Sequence, residues 1–566
     1  MQEKIWKYRD KQLKSEDISS LCAQFKLSYE MAVLLLLRGV SDTNTINSYM
    51  AKGLDGIHNP FLFNDMETAC ERIIRAIKEK EKITVYGDYD VDGITSVSVL
   101  TDFLSSCGAE CDYYIPDRFS EGYGLNILAV NRLARSGTKL LITVDCGISS
   151  IGEVEFAKTQ KLQVIITDHH SCKEEIPKAI AVINPKRKDT TYPFPELAGV
   201  GVAFKLVLAL AKKLGMPAKD IFLKYADLVS IGTVADVVSL LGENRVIADR
   251  GIKAISKTQN FGIKALLEVS GCAEKEITAS LIAFSLCPRI NAAGRMEDAS
   301  LAAELFKAKS YQEALELARR LDELNRLRQQ TEQKIFEEAS RLADLQENPL
   351  VYVLAAKNWH IGVIGIVASK LCEKLGKPCI LLSGENGKYK GSGRSIEGFN
   401  LFDALSANEE LLTAFGGHAL AAGLSISEEN IPEFTKNINA YAKKHITGDM
   451  LMPKLMIDCA ISPSHITLNW ANALKRLEPF GSGNEVPVFA LEGAKIISAN
   501  AIGADGKHLA VRIEKDGVTA NAVWFGMGAV KNELFAGDRA DIAFTLNINT
   551  YNGNKSVQLI LKDIKK

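Results

Sequence analysis

Three aspartates, Asp88, Asp90 and Asp92, stand at every second position between Gly87 and Gly93 in the run ITVYGDYDVDGITSVSV (83–99). While the chain stays extended, alternate side chains point the same way, so the three carboxylates face together. Like charges gathered in this way repel and call for a cation. Carboxylate oxygens are the ligands that hard divalent metals prefer. The same residues also suit plainer work, because Asp beside a glycine turn is a common helix cap or turn former. Recurrence separates the two readings. Asp145 directly follows LLITV (140–144), Asp168, His169 and His170 directly follow VIIT (164–167), and Asp236 sits in IGTVADVVSL (231–240). Carboxylates and imidazoles converging from several strand ends could hold two divalent ions.

The elements around these groups decide whether they meet. Residues 83–86 are a β-branched and aromatic run that reads as a buried strand. Val97, Leu100, Phe103 and Leu104 then fall at helical spacing, so a strand enters an acidic turn and leaves it as a helix. Residues 140–144, 164–167 and 181–183 read as further strands, with helices over 126–134 and 154–158 between them. Such alternation implies a mostly parallel sheet with helices on both faces. In an open parallel sheet the carboxyl ends of the strands share one edge, where ligand sites form. The acids and histidines are therefore expected along that edge.

The chain has 566 residues, too many for one core. Its 47% hydrophobic and 24% charged content is that of a soluble globular protein. A formal net charge of -1 offers no global basic field, so any nucleic-acid surface must be a local groove. Eleven cysteines without a C-x-x-C pair read as scattered reduced thiols, and the close pair Cys107 and Cys111 as packing residues. The longest early apolar run, 31–37, is too short to span a membrane, and no signal-peptide pattern precedes it. A cytoplasmic protein without membrane contact is expected.

Residues 1–60 read as an N-terminal helical segment, and 61–310 as the α/β domain that carries the acids. Residues 311–345 read as one bridging helix, whose apolar spacing is interrupted by Arg328 and Glu338. Residues 346–449 form a second α/β lobe. There GSGRS, with Ser392 and Arg394, and FGGH, with Gly417 and His418, set exposed backbone N–H groups beside cationic or imidazole side chains. That arrangement suits phosphate, although glycine clusters are also plain turns. From 450 to 566, short strands separated by glycine turns fit a small barrel, with Trp524, Phe525 and Tyr551 as candidate base-stacking platforms.

GDYDVDG (87–93), VDCG (144–147), the triplet Asp168-His169-His170 and GTVADVV (232–238) resemble, in order, the four motifs of the DHH phosphoesterase superfamily. PDRFSEGYGL (116–125), CPRINAAGRM (287–296), WHIGVIGIVASKL (359–371), FGGHALAAG (415–423) and LEPFGSGNEVPVF (477–489) narrow the resemblance to the RecJ family of single-strand-specific DNA exonucleases. The likeness runs over nearly the whole chain. It implies a parallel-sheet DHH domain, a long helix, a smaller DHHA1 domain and an OB-fold barrel. It implies that Asp90, Asp92, Asp145, His169 and Asp236 are ligands of two Mn2+ ions, with Mg2+ as the alternative. Asp88 and His170 then take catalytic places in the same site. Arg118 and Tyr123 are implied at the cleft entrance. Arg289, Arg295, Ser392, Arg394, Gly417 and His418 are implied to face the nucleic acid.

The implied activity is two-metal hydrolysis of single-stranded DNA from its 5′ end, with mononucleotide release, in repair and recombination. The sequence leaves open whether the chain also meets a single-stranded-DNA-binding protein or a RecQ-type helicase. A small-substrate phosphoesterase is the nearest rival, and the residues beyond 450 weigh against it. A non-catalytic replication scaffold is a second rival, and the filled ligand positions weigh against that one. No G-x-G-x-x-G follows the first strand, so nothing supports a dinucleotide-cofactor enzyme.

Overall fold

The computed structural model describes residues 4–50, 53–122, 124–551 and 553–566. Tyr123, expected at the cleft entrance, lies outside them, as does the side chain of Tyr551. The first element among the described residues is a short strand, β1 (Ile5–Tyr8), within the segment expected to be helical, and the helices Ser15–Phe25 and Tyr29–Leu36 follow it.

Five strands then build the first lobe: β2 (Ile83–Tyr86), β3 (Cys111–Tyr114), β4 (Leu140–Val144), β5 (Gln163–Thr167) and β6 (Ala181–Ile183). They form one sheet in the order β3-β2-β4-β5-β6, every pairing parallel. Each residue of β2 and β4 is buried, as befits strands covered on both faces. On one face Ile83, Val85, Leu140 and Ile142 pack beneath the helices Met66–Lys78, Val91–Ser106 and Gly199–Lys213. On the other, Tyr86, Leu141, Val164 and Ile166 meet the helices Ile127–Arg135 and Ile151–Thr159. Each fully buried aliphatic side chain contributes roughly 1.5–3 kcal/mol. The strand order reverses between β2 and β4, and the crevice at such a reversal is where ligands bind in open α/β sheets. Strand β3 has no signature in the sequence, because CDYY is a half-buried edge without an aliphatic run.

The helix Tyr311–Asp344 belongs to two cores at once. Ala314, Ala318 and Leu321 pack into the first lobe, whereas Ile335, Ala339 and Ala343 pack into the second. Arg328 and Glu332, paired at 2.6 Å, mark the hand-over between them. The second lobe holds β7 (Tyr352–Lys357), β8 (Cys379–Glu385), β9 (Lys388–Arg394), β10 (Leu412–Gly417) and β11 (Ala421–Ser427), ordered β10-β11-β9-β8-β7. The glycine runs read from sequence as phosphate-suited N–H groups or plain turns are strand ends here. A Cβ at Gly391 would lie 2.4 Å from Leu382, and one at Gly393 would lie 2.7 Å from Leu401. Those glycines serve close packing within a sheet.

Strand β12 (Lys454–Ile457) pairs in parallel with β1, so the N-terminal segment meets the stretch that follows the second lobe. Then come β13 (Cys459–Ala460), β14 (Phe489–Ile502), β15 (His508–Lys515), β16 (Val518–Trp524), β17 (Arg539–Tyr551) and β18 (Asn554–Lys565). The order β14-β15-β16-β18-β17 closes into a five-stranded barrel through the pairing of β17 with β14. Its core of Ile496, Ile513, Phe544 and Leu559 is continuous with Ile18, Leu21, Val33 and Leu34 of the N-terminal helices. Trp524 is buried in this core and offers no stacking face, whereas Phe525 beside it is exposed. No helix among the described residues is long and apolar enough to cross a membrane, and all eleven cysteines are free.

Candidate metal centre

All seven acidic and imidazole residues expected in the site come together at the carboxyl edge of the first sheet. Asp88 and Asp90 occupy the turn after β2, and Asp92 stands in the first turn of the helix Val91–Ser106. Asp145 ends β4, His169 and His170 follow β5, and Asp236 caps the C-terminus of the helix Ala218–Ala235. Their ligand atoms fall into three overlapping groups, within each of which all lie within 4.8 Å of one another. The groups are Asp88, Asp90 and Asp145; Asp92, His169 and Asp236; and Asp145, His169 and His170.

Local structure holds each group in place. Asp90 caps its helix by accepting the Gly93 N–H at 3.0 Å, so its capping and site roles coexist. Asp92 accepts the N–H groups of Gly199 at 2.7 Å and Val200 at 2.8 Å, one on each oxygen. Those donors open the helix Gly199–Lys213, whose positive end favours the anion. Each Asp92 oxygen keeps a second lone pair for a cation. Asp145 takes a left-handed backbone conformation, φ 58°. Gly199 makes room for it, since a Cβ there would lie 2.4 Å from Asp145 Oδ1.

Asp145 Oδ1, Asp236 Oδ2 and His169 Nε2 are among the polar atoms at the centre that have no hydrogen bond within the described residues. The imidazole nitrogen lies 3.3 Å from the first and 3.5 Å from the second. Buried acceptors left unpaired are costly, and a shared cation is the arrangement that satisfies them. The titration behaviour agrees. Burial and the neighbouring His170 bring the His169 pKa down to about 4, which leaves a neutral imidazole, the form that binds metal. Burial, reinforced by Asp90, pushes Asp88 up to about 8 and Asp236 up to about 7. Burial likewise drives Asp92 and Asp145 well above the carboxylate range, with Asp236 and Asp92 respectively the next causes. A carboxylate-rich donor set with imidazole suits Mn2+ and, through its oxygens, Mg2+.

Asp168, which the sequence reading left outside the ligand set, organises the histidines. Its Oδ1 accepts the N–H of His169 at 2.7 Å and of His170 at 3.0 Å, and lies 2.7 Å from His170 Nδ1. Its Oδ2 accepts the Ile148 N–H. Burial works against charge on His170, but the bond to Asp168 holds its pKa above the usual value. The signal for this role lay in the motif itself, where the acid precedes the two imidazoles.

Beside the acids lies a cationic cavity of about 570 Å³, lined among others by Arg118, Arg295, Ser392 and Arg394. The Arg118 guanidinium lies 4.9 Å from the ring of Tyr89, in the acidic turn, and so links cavity and acids. Arg295 donates to the Gly362 carbonyl at 3.0 Å, and Arg394 donates to the Ser392 hydroxyl at 3.0 Å. No carboxylate pairs with Arg118, Arg295 or Arg394 among the described residues. Burial, with the charges of Arg118, Arg328 and Arg394, lowers the Arg295 pKa to about 10. Arg328, read from sequence as an interruption of a helix stripe, therefore belongs near this cluster.

Arg289 does not reach the cavity. It donates to Asp322 Oδ1 at 2.9 Å and to the Ser285 carbonyl at 2.6 Å, tying its helix to the long one. Gly417 and His418 are exposed at the β10–β11 turn and do not line the cavity either.

Residues 82–233 match the DHH family, N-terminal domain, residues 347–444 the DHHA1 domain, and residues 457–563 the RecJ OB domain. The chain is 38% identical over 551 residues to the single-stranded-DNA-specific exonuclease RecJ of Bacillus subtilis (strain 168), covering 97% of this chain and 69% of that protein. The crystal structure of RecJ from Thermus thermophilus in complex with Mn2+ superimposes with a TM-score of 0.84 at 28% identity, over 99% of this chain and 79% of that one. The same protein in complex with Mg2+ gives a TM-score of 0.77 at 27% identity, over 99% and 78%. A likeness that spans both lobes, the bridging helix and the barrel in one order leaves a single conclusion: this chain belongs to the RecJ family of single-stranded-DNA-specific exonucleases.

Proposed function

We propose that the chain is a metal-dependent exodeoxyribonuclease that degrades single-stranded DNA from the 5′ end to 5′-mononucleotides, in DNA repair and recombination. The observation that carries this reading is the meeting of three unpaired buried atoms, on Asp145, His169 and Asp236, beside a cavity of unneutralised arginines. Asp90, Asp92, Asp145, His169 and Asp236 would hold two Mn2+ ions, or Mg2+, which when bound activate water and offset charge on the scissile phosphate.

The protein's own groups do the rest. Arg118, Arg295, Arg394 and Ser392 grip the terminal 5′-phosphate. With that end held, only the first linkage reaches the acids, which fixes both polarity and product size. His170, steadied through Nδ1 by Asp168, carries a proton on Nε2 to the departing 3′-oxygen. Asp88 adds its carboxyl at the turn beside Asp90 and Asp145. Phe525, exposed at the end of β16, is the stacking candidate on the barrel. The reading adds a cytoplasmic location. It also adds a single-stranded-DNA-binding protein and a RecQ-type helicase as protein partners, since the substrate strand must be opened and is coated when free.

Time-resolved digestion of a strand labelled at either end, with Mn2+, Mg2+ or chelator, tests the proposal. The 5′ label should leave first, as a mononucleotide, and only with metal. Early release of the 3′ label, or full activity in chelator, overturns it.

A further inference from the structure

The end-binding cavity is larger and more cationic than a single phosphate requires. Its volume of about 570 Å³ falls in the range that encloses whole small ligands, about 300–1,000 Å³. A terminal phosphate monoester brings at most about two negative charges. The wall carries Arg118, Arg295, Lys370, Lys390 and Arg394, against the single acid Glu373 among the described residues that line it. Lys370 is committed to Glu332, but Lys390 is exposed and has no ion pair among the described residues.

The arrangement of these groups is linear. Lys390, Ser392 and Arg394 alternate along β9, so their side chains share one face of the strand. Gly391 and Gly393 turn to the opposite face, against Leu382 and Leu401. Arg394 is at the end nearer the acids: Gly365 beside its guanidinium lies one helical turn from Gly362, whose carbonyl accepts from Arg295, and Gly294 next to Arg295 packs against Tyr89 of the acidic turn. At about 3.4 Å per residue, Lys390 then extends the row by about 14 Å away from them. The helix Ile361–Leu375 forms the facing wall, from Ile361 to Glu373. A Cβ at Gly365 would stand 3.0 Å from Ser392 Oγ and 3.2 Å from Arg394 Nη2, so glycine there lets the helix lie close against the row without displacing either side chain.

We propose that the row Arg394–Ser392–Lys390 makes this groove a site for polyphosphorylated 5′ ends, so that strands bearing a 5′-triphosphate are substrates. The inference rests on the proposed end-gripping role of the cavity and extends it. Water adds its oxygen to the phosphorus of the second nucleotide, and the 3′-oxygen of the first leaves with a proton. The first product is then a nucleoside 5′-triphosphate, and the shortened strand keeps an ordinary 5′-monophosphate. Strands initiated de novo from nucleoside triphosphates are the class of reaction product that carries such an end.

The test compares one DNA oligonucleotide bearing a 5′-hydroxyl, monophosphate or triphosphate. Binding is measured by fluorescence anisotropy in chelator, and digestion is followed with Mn2+ and a γ-phosphate label. The triphosphate strand should bind at least about fivefold tighter than the monophosphate strand. Lys390→Met should erase that advantage while changing monophosphate binding less than about twofold. The label should appear in nucleoside triphosphate, one per strand. Triphosphate binding no tighter than monophosphate binding, an equal loss for both strands in Lys390→Met, or release of the label as phosphate or pyrophosphate overturns the inference alone. Equal handling of the hydroxyl and monophosphate strands overturns the end-gripping role as well.

Discussion

Replacing Asp145 by Asn keeps the shape of a buried side chain and removes one negative charge from the centre of the acidic cluster. Asp145 shares a group with Asp88 and Asp90 whose ligand atoms all lie within 4.8 Å. Two carboxylates at that separation repel by about 3 kcal/mol at an effective dielectric constant of about 20. Part of this is already relieved by protonation, since burial and Asp92 hold the Asp145 carboxyl well above its usual range. Asp145→Asn should therefore stabilise the metal-free protein by about 2 kcal/mol, a rise of about 4–8 °C in the melting temperature of a domain this size. With Mn2+ the order reverses. A hundredfold excess over Kd stabilises the wild type by about 2.7 kcal/mol, and the variant should gain little of this. Nuclease turnover should fall at least about a thousandfold, the equivalent of about 4 kcal/mol at the transition state. Calorimetry in chelator and in Mn2+, beside an exonuclease assay, reads all three effects. A variant that melts below the wild type in chelator, or that keeps Mn2+-dependent turnover within tenfold, refutes the reasoning.

Three other substitutions probe the neighbourhood. Gly199→Ala sets a Cβ 2.4 Å from Asp145 Oδ1 and should cost about 1–3 kcal/mol of stability. It should also weaken Mn2+ binding more than tenfold, and a Mn2+ titration with unchanged affinity would count against the Asp145 geometry. Arg394→Ala should raise KM about tenfold or more, the worth of one charge-assisted hydrogen bond. Its melting temperature should stay within about 2 °C, because its neighbours Arg118 and Arg295 repel it; an unchanged KM with a large fall in melting temperature would favour a structural role. Arg289→Ala should do the opposite, lowering stability by about 1–3 kcal/mol at constant KM, since it leaves Asp322 with Arg326 as its remaining ion-pair partner. A KM effect there would return Arg289 to the substrate site.

Periodicity exposed most of the fold. The buried strands β2, β4, β5 and β6 and the 34-residue helix Tyr311–Asp344 stand where apolar spacing places them. Strand β9 was hidden, because glycines at 391 and 393 carry no strand pattern and suit a turn or a phosphate cradle, and their purpose lies in Leu382 and Leu401 on other elements. The union of β1 with β12 was equally invisible. Ile5 pairs with Lys454, and no local pattern records a contact over that distance.

The sequence by itself determined the chemistry of the centre. Carboxylates and imidazoles placed after successive strands must arrive at one sheet edge, because parallel strands end together. Only the tertiary structure decided which cations face the substrate. Arg289 and Arg295 sit six residues apart on one helix, and about 100° per residue carries them to different faces. One meets Asp322 of the long helix and the other opens into the cleft. A side chain's direction depends on the elements packed against its helix, and those come from distant parts of the chain.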